Sequence, residues 1–360
     1  MKSNYEPLGK HIRLVDYRNS EEVTSTVLGI SIDKEFMPSV ANVIGTDLSR
    51  YKLISKGLFA CNPMHVGRDE RLPIALYEKD NAAIVSPAYF MFEIIDRDVL
   101  NEEYLMMWFR RPEFDRECWF MTDGSVRGGI SWDDLCRIQL PVPPYERQLD
   151  VVESYRAITR RIAMKKEIND NLEAVLAASH SKMFFSKDTS EHSKLGELMT
   201  FGNGKSRPKT DGPIPVYGGN GVLSYTDHHN IENAVLIGRV GAYCGSVYLE
   251  QGICWVSDNA IFAKSKITKD EFFDYFLLKR LNLFNHHVGT GQQLLTQEIL
   301  NNIEVPKPVT EQIELFNRKA TSIFETIFTN SREIIRLQEL SDLLLSRLAV
   351  SYTHLRAHET

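Results

Sequence analysis

Leu140-Pro141-Val142-Pro143-Pro144-Tyr145-Glu146-Arg147-Gln148 opens a long amphipathic run, and the same opening returns as Val305-Pro306-Lys307-Pro308-Val309-Thr310-Glu311-Gln312. The two copies share one register, because 306 − 141, 308 − 143 and 311 − 146 all equal 165. The register extends upstream, pairing Gly124 with Gly289, Ser131 with Thr296, Leu135 with Leu300 and Ile138 with Ile303. A polar-to-apolar pattern held in one register over this length marks an internal duplication.

The runs that follow repeat the message. From Ile313, steps of three and four reach Phe316, Ala320, Ile323, Ile327, Asn330, Ile334, Leu337, Ser341, Leu344 and Leu348, the seven-residue period of a coiled coil. Moving back by 165 gives Gln148, Val151, Tyr155, Ile158, Ile162, Lys165, Asn169, Leu172, Leu176, Ser179 and Met183, a weaker seam of the same kind. The spacing predicts a helix over 144–185 and another over 309–349. At ~1.5 Å per residue each is about 60 Å long and has an apolar stripe that it cannot bury alone. The economical solution is that the two helices pack on each other. Lys165 and Asn330 coincide in the register, so they face each other only where the helices cross.

Between these helices the chain reads as two similar mixed α/β domains, at 1–143 and 190–308. In the first, Ile84-Val85 and Ala88-Tyr89-Phe90-Met91-Phe92 suggest strands bounded by turn signals at Asp80-Asn81 and Ser86-Pro87. A helix is expected over Asn101 to Arg110, with Leu105, Met106, Trp108 and Phe109 buried, and a turn at Asp123-Gly124-Ser125. The polar break at 186–190 separates the first helix from the second domain, where Leu195-Gly196-Glu197-Leu198 echoes Leu8-Gly9-Lys10-His11. A third register, offset by 171, pairs Gly67-Arg68 with Gly238-Arg239, Tyr77 with Tyr248 and Val85-Ser86 with Val256-Ser257. The last eleven residues, 350–360, end the heptads and read as the translation of a library adapter, a non-native tail.

Bulk properties narrow the class. With 360 residues, 43% hydrophobic and 25% charged, the chain suits a soluble protein of two or more domains. No apolar run is long enough for a membrane span, and the N-terminus lacks a secretory core, so a cytoplasmic location is expected. Five cysteines without a Cys-x-x-Cys pair suit reduced thiols rather than a disulfide framework or a zinc site. The net charge of −6 argues against coating nucleic acid by bulk charge but leaves room for a local basic groove.

Each motif that could carry chemistry is incomplete. Gly202-Asn203-Gly204-Lys205-Ser206 has the end of a phosphate-binding loop, but the glycine needed five residues before Gly204 is Met199. Pro143-Pro144-Tyr145 is like the end of the motif with which amino-methyltransferases hold a base, yet Val142 stands where an amide or carboxylate is required. No Pro-Asp dipeptide starts a nuclease pattern, and the adjacent pairs His228-His229 and His286-His287 point apart in regular structure. No metal or catalytic site is therefore expected. What remains suits recognition. Lys205, Ser206, Arg207 and Lys209 lie in a loop flanked by glycine and proline, fit for phosphate contact or base-edge readout. Tyr217 and Asn220, Arg239 and Tyr243, and in the first domain His65 and Arg68, complete the candidate DNA-binding set. Ile158, Ile162, Leu172, Leu176, Ile323, Ile327, Ile334, Leu337 and Leu344 are the candidate helix-pair and partner interface.

Taken together, the repeated Pro-rich helix openings, Leu195-Gly196-Glu197-Leu198, Pro215-Val216-Tyr217-Gly218-Gly219-Asn220-Gly221 and Ile237-Gly238-Arg239-Val240-Gly241 resemble the specificity subunit of Type I restriction-modification systems. The resemblance covers residues 5–349. It implies an α+β fold in which two target recognition domains are separated by long helices packed as an antiparallel coiled coil. It also implies a non-catalytic reader of double-stranded DNA, each domain taking half of a bipartite site while the helices set the spacer. Two modification subunits would dock on the helices and restriction subunits would join. S-adenosylmethionine, ATP and magnesium are then expected in those partners and no cofactor in this chain. The alternatives are a paired-domain scaffold without DNA reading, or a self-contained DNA methyltransferase or nuclease, which the missing motifs disfavour.

Overall fold

Ser131 and Thr296, matched by the 165-residue register, do the same work in the folded chain. Each caps a short helix, Trp132–Arg137 and Gln297–Asn302, its hydroxyl accepting from the N–H of Asp134 (3.1 Å) and Ile299 (3.2 Å). Each helix then feeds a short strand, Gln139–Pro141 and Glu304–Pro306, paired antiparallel with Tyr5–Pro7 and His192–Lys194 respectively. The echoing Leu-Gly pairs are explained here too. A Cβ added at Gly9 would lie 2.7 Å from the Cβ of Cys136, and one at Gly196 would lie 2.4 Å from the Oδ1 of Asn301. Both clashing residues lie in those short helices, so glycine is required for the approach.

The computed structural model describes residues 5–354 except 41–42, 44, 65, 123–127, 187–190 and 290, with the side chains of 349–354 also left out. The expected turn at 123–125, most of the polar break at 186–190 and His65 therefore lie outside the described residues. The chain divides into two compact units, one of residues 1–164 with 334–360 and the other of residues 165–333. Each unit thus takes part of both long helices along with its own sheet.

In the first unit two four-stranded sheets run in the orders Ile12–Leu14, Phe90–Ile94, Phe59–Cys61, Ile74–Leu76 and Phe36–Pro38, Val27–Ile30, Ala83–Val85, Lys52–Ile54. In the second unit a single six-stranded sheet runs Met199–Asn203, Ala260–Ser265, Ile231–Gly238, Val247–Val256, Ile214–Gly218, Gly221–Thr226. These are one order. The long strands Ile231–Gly238 and Val247–Val256 are each broken in two in the first unit, and the breaks divide its sheet. One parallel pairing survives in both, Leu28 with Val85 and Tyr217 with Val256, so the 171 offset is correct at Val85 and Val256. At Tyr77 and Tyr248 it fails. The ladders pair Phe59 with Leu76 and Val235 with Leu249, which sets Leu76 against Leu249 and leaves Tyr77 opposite Glu250. The first expected strand is found as Ala83–Val85; the second starts at Phe90, because the turn begun by Ser86 extends through Tyr89, whose N–H donates to Ser86 O (3.1 Å). The expected helix is Glu102–Phe109, capped by Asn101, with Tyr104 through Phe109 all buried.

The long helices are Tyr145–Phe184 and Thr310–His354. Every seam position from Gln148 to Met183 and from Ile313 to Leu348 is buried or half-buried, including Ile158, Ile162, Leu172, Leu176, Ile323, Ile327, Ile334, Leu337 and Leu344. The second helix continues through 350–354, into the stretch read as a tail, where no glycine or proline stops it. Within the second unit the helices run antiparallel. Lys165 Nζ donates to Asn330 Oδ1 (2.9 Å) and pairs with Glu333 (2.8 Å), while His180 and Phe184 further along meet Phe316. The two positions matched in the register therefore meet. Asn330 Nδ2 in turn donates to Asn169 Oδ1 (2.9 Å), so this polar layer is satisfied. Leu176, Phe184, Phe316 and Phe324 also enter the core beneath the second sheet, and Val152, Leu345 and Leu348 enter that of the first unit.

Candidate nucleic-acid interface

In the second unit the chain leaves Val247–Val256, turns at 257–259 and re-enters the sheet as Ala260–Ser265. Backbone hydrogen bonds gather distant segments on this turn. Lys205 N–H donates to Val256 O (2.9 Å) and Gly204 N–H to Ala260 O (3.1 Å). Ser257 N–H donates to Tyr217 O (2.8 Å), and Arg239 N–H to Asn259 O (3.0 Å). A further layer follows, in which Leu295 N–H donates to Arg239 O (2.9 Å) and Gly241 N–H to Gln293 O (3.0 Å). The packing is close enough to demand glycine at 238, where a Cβ would lie 2.1 Å from Tyr243 O. The loops singled out in the sequence are thus one cluster with a rigid base.

Lys205, Ser206, Arg207, Lys209, Asn220 and Tyr243 are exposed on this cluster. Among the described residues none of Lys205, Arg207, Lys209 and Arg239 forms an ion pair. Arg239 is half-buried, its Nε shut off from solvent without a partner, and its backbone is held on both sides by the bonds above. Gly204 through Lys209 run on without a helix, so the Gly-Lys-Ser sequence lacks the helix N-terminus that a phosphate-binding loop uses. Tyr217 is a correction to the candidate set. Its hydroxyl donates to Glu250 Oε2 (3.0 Å) and its ring lies against Tyr248, so it belongs to the framework under the loops. Burial and the neighbouring carboxylate push the Tyr217 phenol up, and burial pushes Glu250 up as well, which keeps a proton between them.

Asn259, Gln293 and Trp255 also belong to this cluster, outside the residues singled out in the sequence. Asn259 O and Gln293 O hold Arg239 and Gly241 in place, and Trp255 Nε1 donates to Lys205 O (3.4 Å). No local pattern marks them, since each meets its partner only across a long separation in sequence.

The first unit builds the corresponding surface differently. Ile130 N–H donates to Pro63 O (3.1 Å) as Leu295 N–H does to Arg239 O, so the counterpart of Arg239 is Pro63. The sequence match of Arg68 with Arg239 is therefore a coincidence of identity. Arg68 lies in the short helix Val66–Asp69, exposed, with its guanidinium forked onto the Asp69 carboxylate at 2.7 and 2.8 Å. Among the described residues no group of three His, Cys, Asp or Glu side chains converges on a metal-sized site.

Residues 187–343 match the family model of the Type I restriction modification DNA specificity domain. Over 96% of its length the chain is 20% identical to a protein of Methanocaldococcus jannaschii described as the type I restriction enzyme MjaX specificity subunit, covering 88% of that protein. A 60-residue stretch, 17% of the chain, is 43% identical to 13% of the HindI specificity subunit of Haemophilus influenzae. The fold matches the crystal structure of the Type-I restriction-modification system S subunit from M. genitalium with a TM-score of 0.60 at 15% identity, covering 96% of this chain and 95% of that one. With duplicated sheets and duplicated helix openings, the chain has the fold of that S subunit, and over nearly its whole length it is similar to the specificity subunits of type I restriction-modification systems.

Proposed function

We propose that this chain gives a type I restriction-modification complex its DNA sequence specificity. The observation that carries the reading is the loop cluster of the second unit, where unpaired cations stand on a rigid turn inside the residues matched by the DNA specificity domain. Flexible cations fixed at their backbones suit phosphate positioning and base-edge contact. Each recognition domain, 1–143 and 190–308, reads one half of a bipartite site. The helices, 144–185 and 309–349, set the unread spacer and dock two modification subunits, and restriction subunits complete the assembly. The chain itself is non-catalytic; S-adenosylmethionine, ATP and magnesium act in the partners, and the complex works in the cytoplasm. Among the described residues no helix is long and apolar enough to cross a membrane.

Two outcomes test this reading. Arg207→Ala is expected to weaken DNA binding by about 1–3 kcal/mol or to relax reading in the second half-site only. Methylome sequencing of a host expressing the variant with its modification subunit reads both halves at once, and altered specificity in the first half would overturn the assignment. Deleting four residues from the first helix, about one turn, should change the spacer and leave both half-sites as they were. An unchanged spacer in the same assay would remove the ruling role of the helices.

A further inference from the structure

The two recognition domains are built alike but charged differently. Residues 5–141 contain 16 Lys and Arg against 22 Asp and Glu, a balance of 16 − 22 = −6, while residues 191–308 contain 11 against 12, a balance of −1. The pairing of the cations differs more sharply. Among the described residues of the first domain, 13 of 15 Lys and Arg side chains form an ion pair. In the second domain 3 of 11 do, and Lys205, Arg207, Lys209 and Arg239 on the loop cluster are not among them. In the first domain Arg18 is tied to Asp16, Arg68 to Asp69 and Arg71 to Asp33, all exposed pairs.

From this contrast we propose that the two domains hold DNA unequally, the second supplying most of the phosphate attraction and the first adding little of it. This rests on the DNA-reading function proposed above. A cation beside a carboxylate brings that carboxylate to the phosphate, so the pair neutralises little backbone charge and releases few counterions. An unpaired cation releases about 0.9 of a counterion per phosphate it neutralises. The first domain therefore selects its half-site through base contacts and shape, on DNA already held by the second.

The test is the salt dependence of binding by the full chain to a mixed-sequence DNA duplex. For the triple variant Lys205→Gln, Arg207→Gln, Lys209→Gln, the slope of log affinity against log salt should become shallower by about 2.7. Between 50 and 200 mM salt that variant should lose about 40-fold less affinity than the unaltered chain. The matched triple Arg18→Gln, Arg68→Gln, Arg71→Gln should change the slope by less than about 1. All six side chains are exposed, and circular dichroism checks that both variants fold. Equal loss of slope in the two triples, or a larger loss in the first domain, overturns the inequality. Salt-insensitive binding by the unaltered chain would instead overturn the DNA-reading function itself.

Discussion

Asp115→Ala is expected to destabilise the first unit by about 3–5 kcal/mol, the cost of leaving a buried charge without its partner. Lys34 sits in the turn between Val27–Ile30 and Phe36–Pro38 with a left-handed backbone (φ 65°), and its ammonium is almost fully buried. Nζ donates to Asp115 Oδ1 (2.6 Å) and to Leu72 O (2.9 Å), and the same Oδ1 accepts from Leu72 N–H (3.0 Å). The Phe114 ring lies 5.3 Å below the ammonium. One carboxylate thus ties the turn, the Leu72 backbone and the helix Pro112–Phe120 together. Lys34→Met with Asp115→Leu should cost much less than Asp115→Ala, because no charge is left behind. Chemical denaturation of the full chain, followed by probes in each unit, measures this. A loss below about 1 kcal/mol, or one confined to the second unit, would contradict it. The turn at Lys34 occupies the hairpin position that Gly219-Asn220 fills in the second unit, so under the proposed function the variant should lose first-half reading before second-half reading.

The second large effect is a pair of opposed pH dependences in the second unit. His180 lies among Phe184, Phe185, Phe273, Phe276 and Phe316, and its Nε2 is buried without a partner. Burial, with the Arg280 charge nearby, lowers its pKa to about 3. The folded state binds the proton less readily than the unfolded chain, so His180 costs nothing above pH ~6.5 and destabilises progressively as pH falls toward 3. Asp274 on the helix Phe272–Arg280 is also buried, and burial, against the lowering effect of Ser265, raises its pKa to about 7. Its sign is opposite. The folded state holds this proton more tightly, so stability present below pH ~3.8 is lost as pH rises through 7. Between pH 7 and pH 5 each group shifts stability by about 2 kcal/mol, in opposite directions. The unaltered chain should therefore show a nearly flat profile from these two groups. Relative to it, His180→Phe should gain about 2 kcal/mol on going from pH 7 to pH 5, and Asp274→Asn should lose about as much of its advantage. Thermal unfolding at both pH values decides the matter, and parallel profiles for the three chains would refute it.

Both effects come from groups that sequence alone left silent. Lys34 and Asp115 are 81 positions apart, and nothing in Ser31-Ile32-Asp33-Lys34-Glu35 distinguishes a buried lysine from a solvated one. His180 occupies an ordinary helical position, and its aromatic surroundings arrive from two other helices. The candidate loops were legible because cations, glycines and prolines crowd in short stretches. That they share one base was not legible, since the turn at 257–259 meets Lys205 and Tyr217 only through strand pairing. Identity also misled. Arg68 and Arg239, and Tyr77 and Tyr248, match in one register, but breaks in the first unit's long strands shift the true equivalence away from them.

The duplication, the two helices with their seams and polar layer, and the match of Ser131 with Thr296 were all legible in the order of the amino acids. These depend on contacts within a few residues or on a strict period, and periodicity survives divergence because every turn of a helix meets the same stripe. Folding was needed to reveal the common sheet order, Pro63 as the counterpart of Arg239, the place of Tyr217 beneath the loops, and which cations are already neutralised. Those outcomes are set by strand ladders and ion pairs between residues tens of positions apart. Insertions change such separations without leaving a local mark, so they can be read only where the chain has folded back on itself.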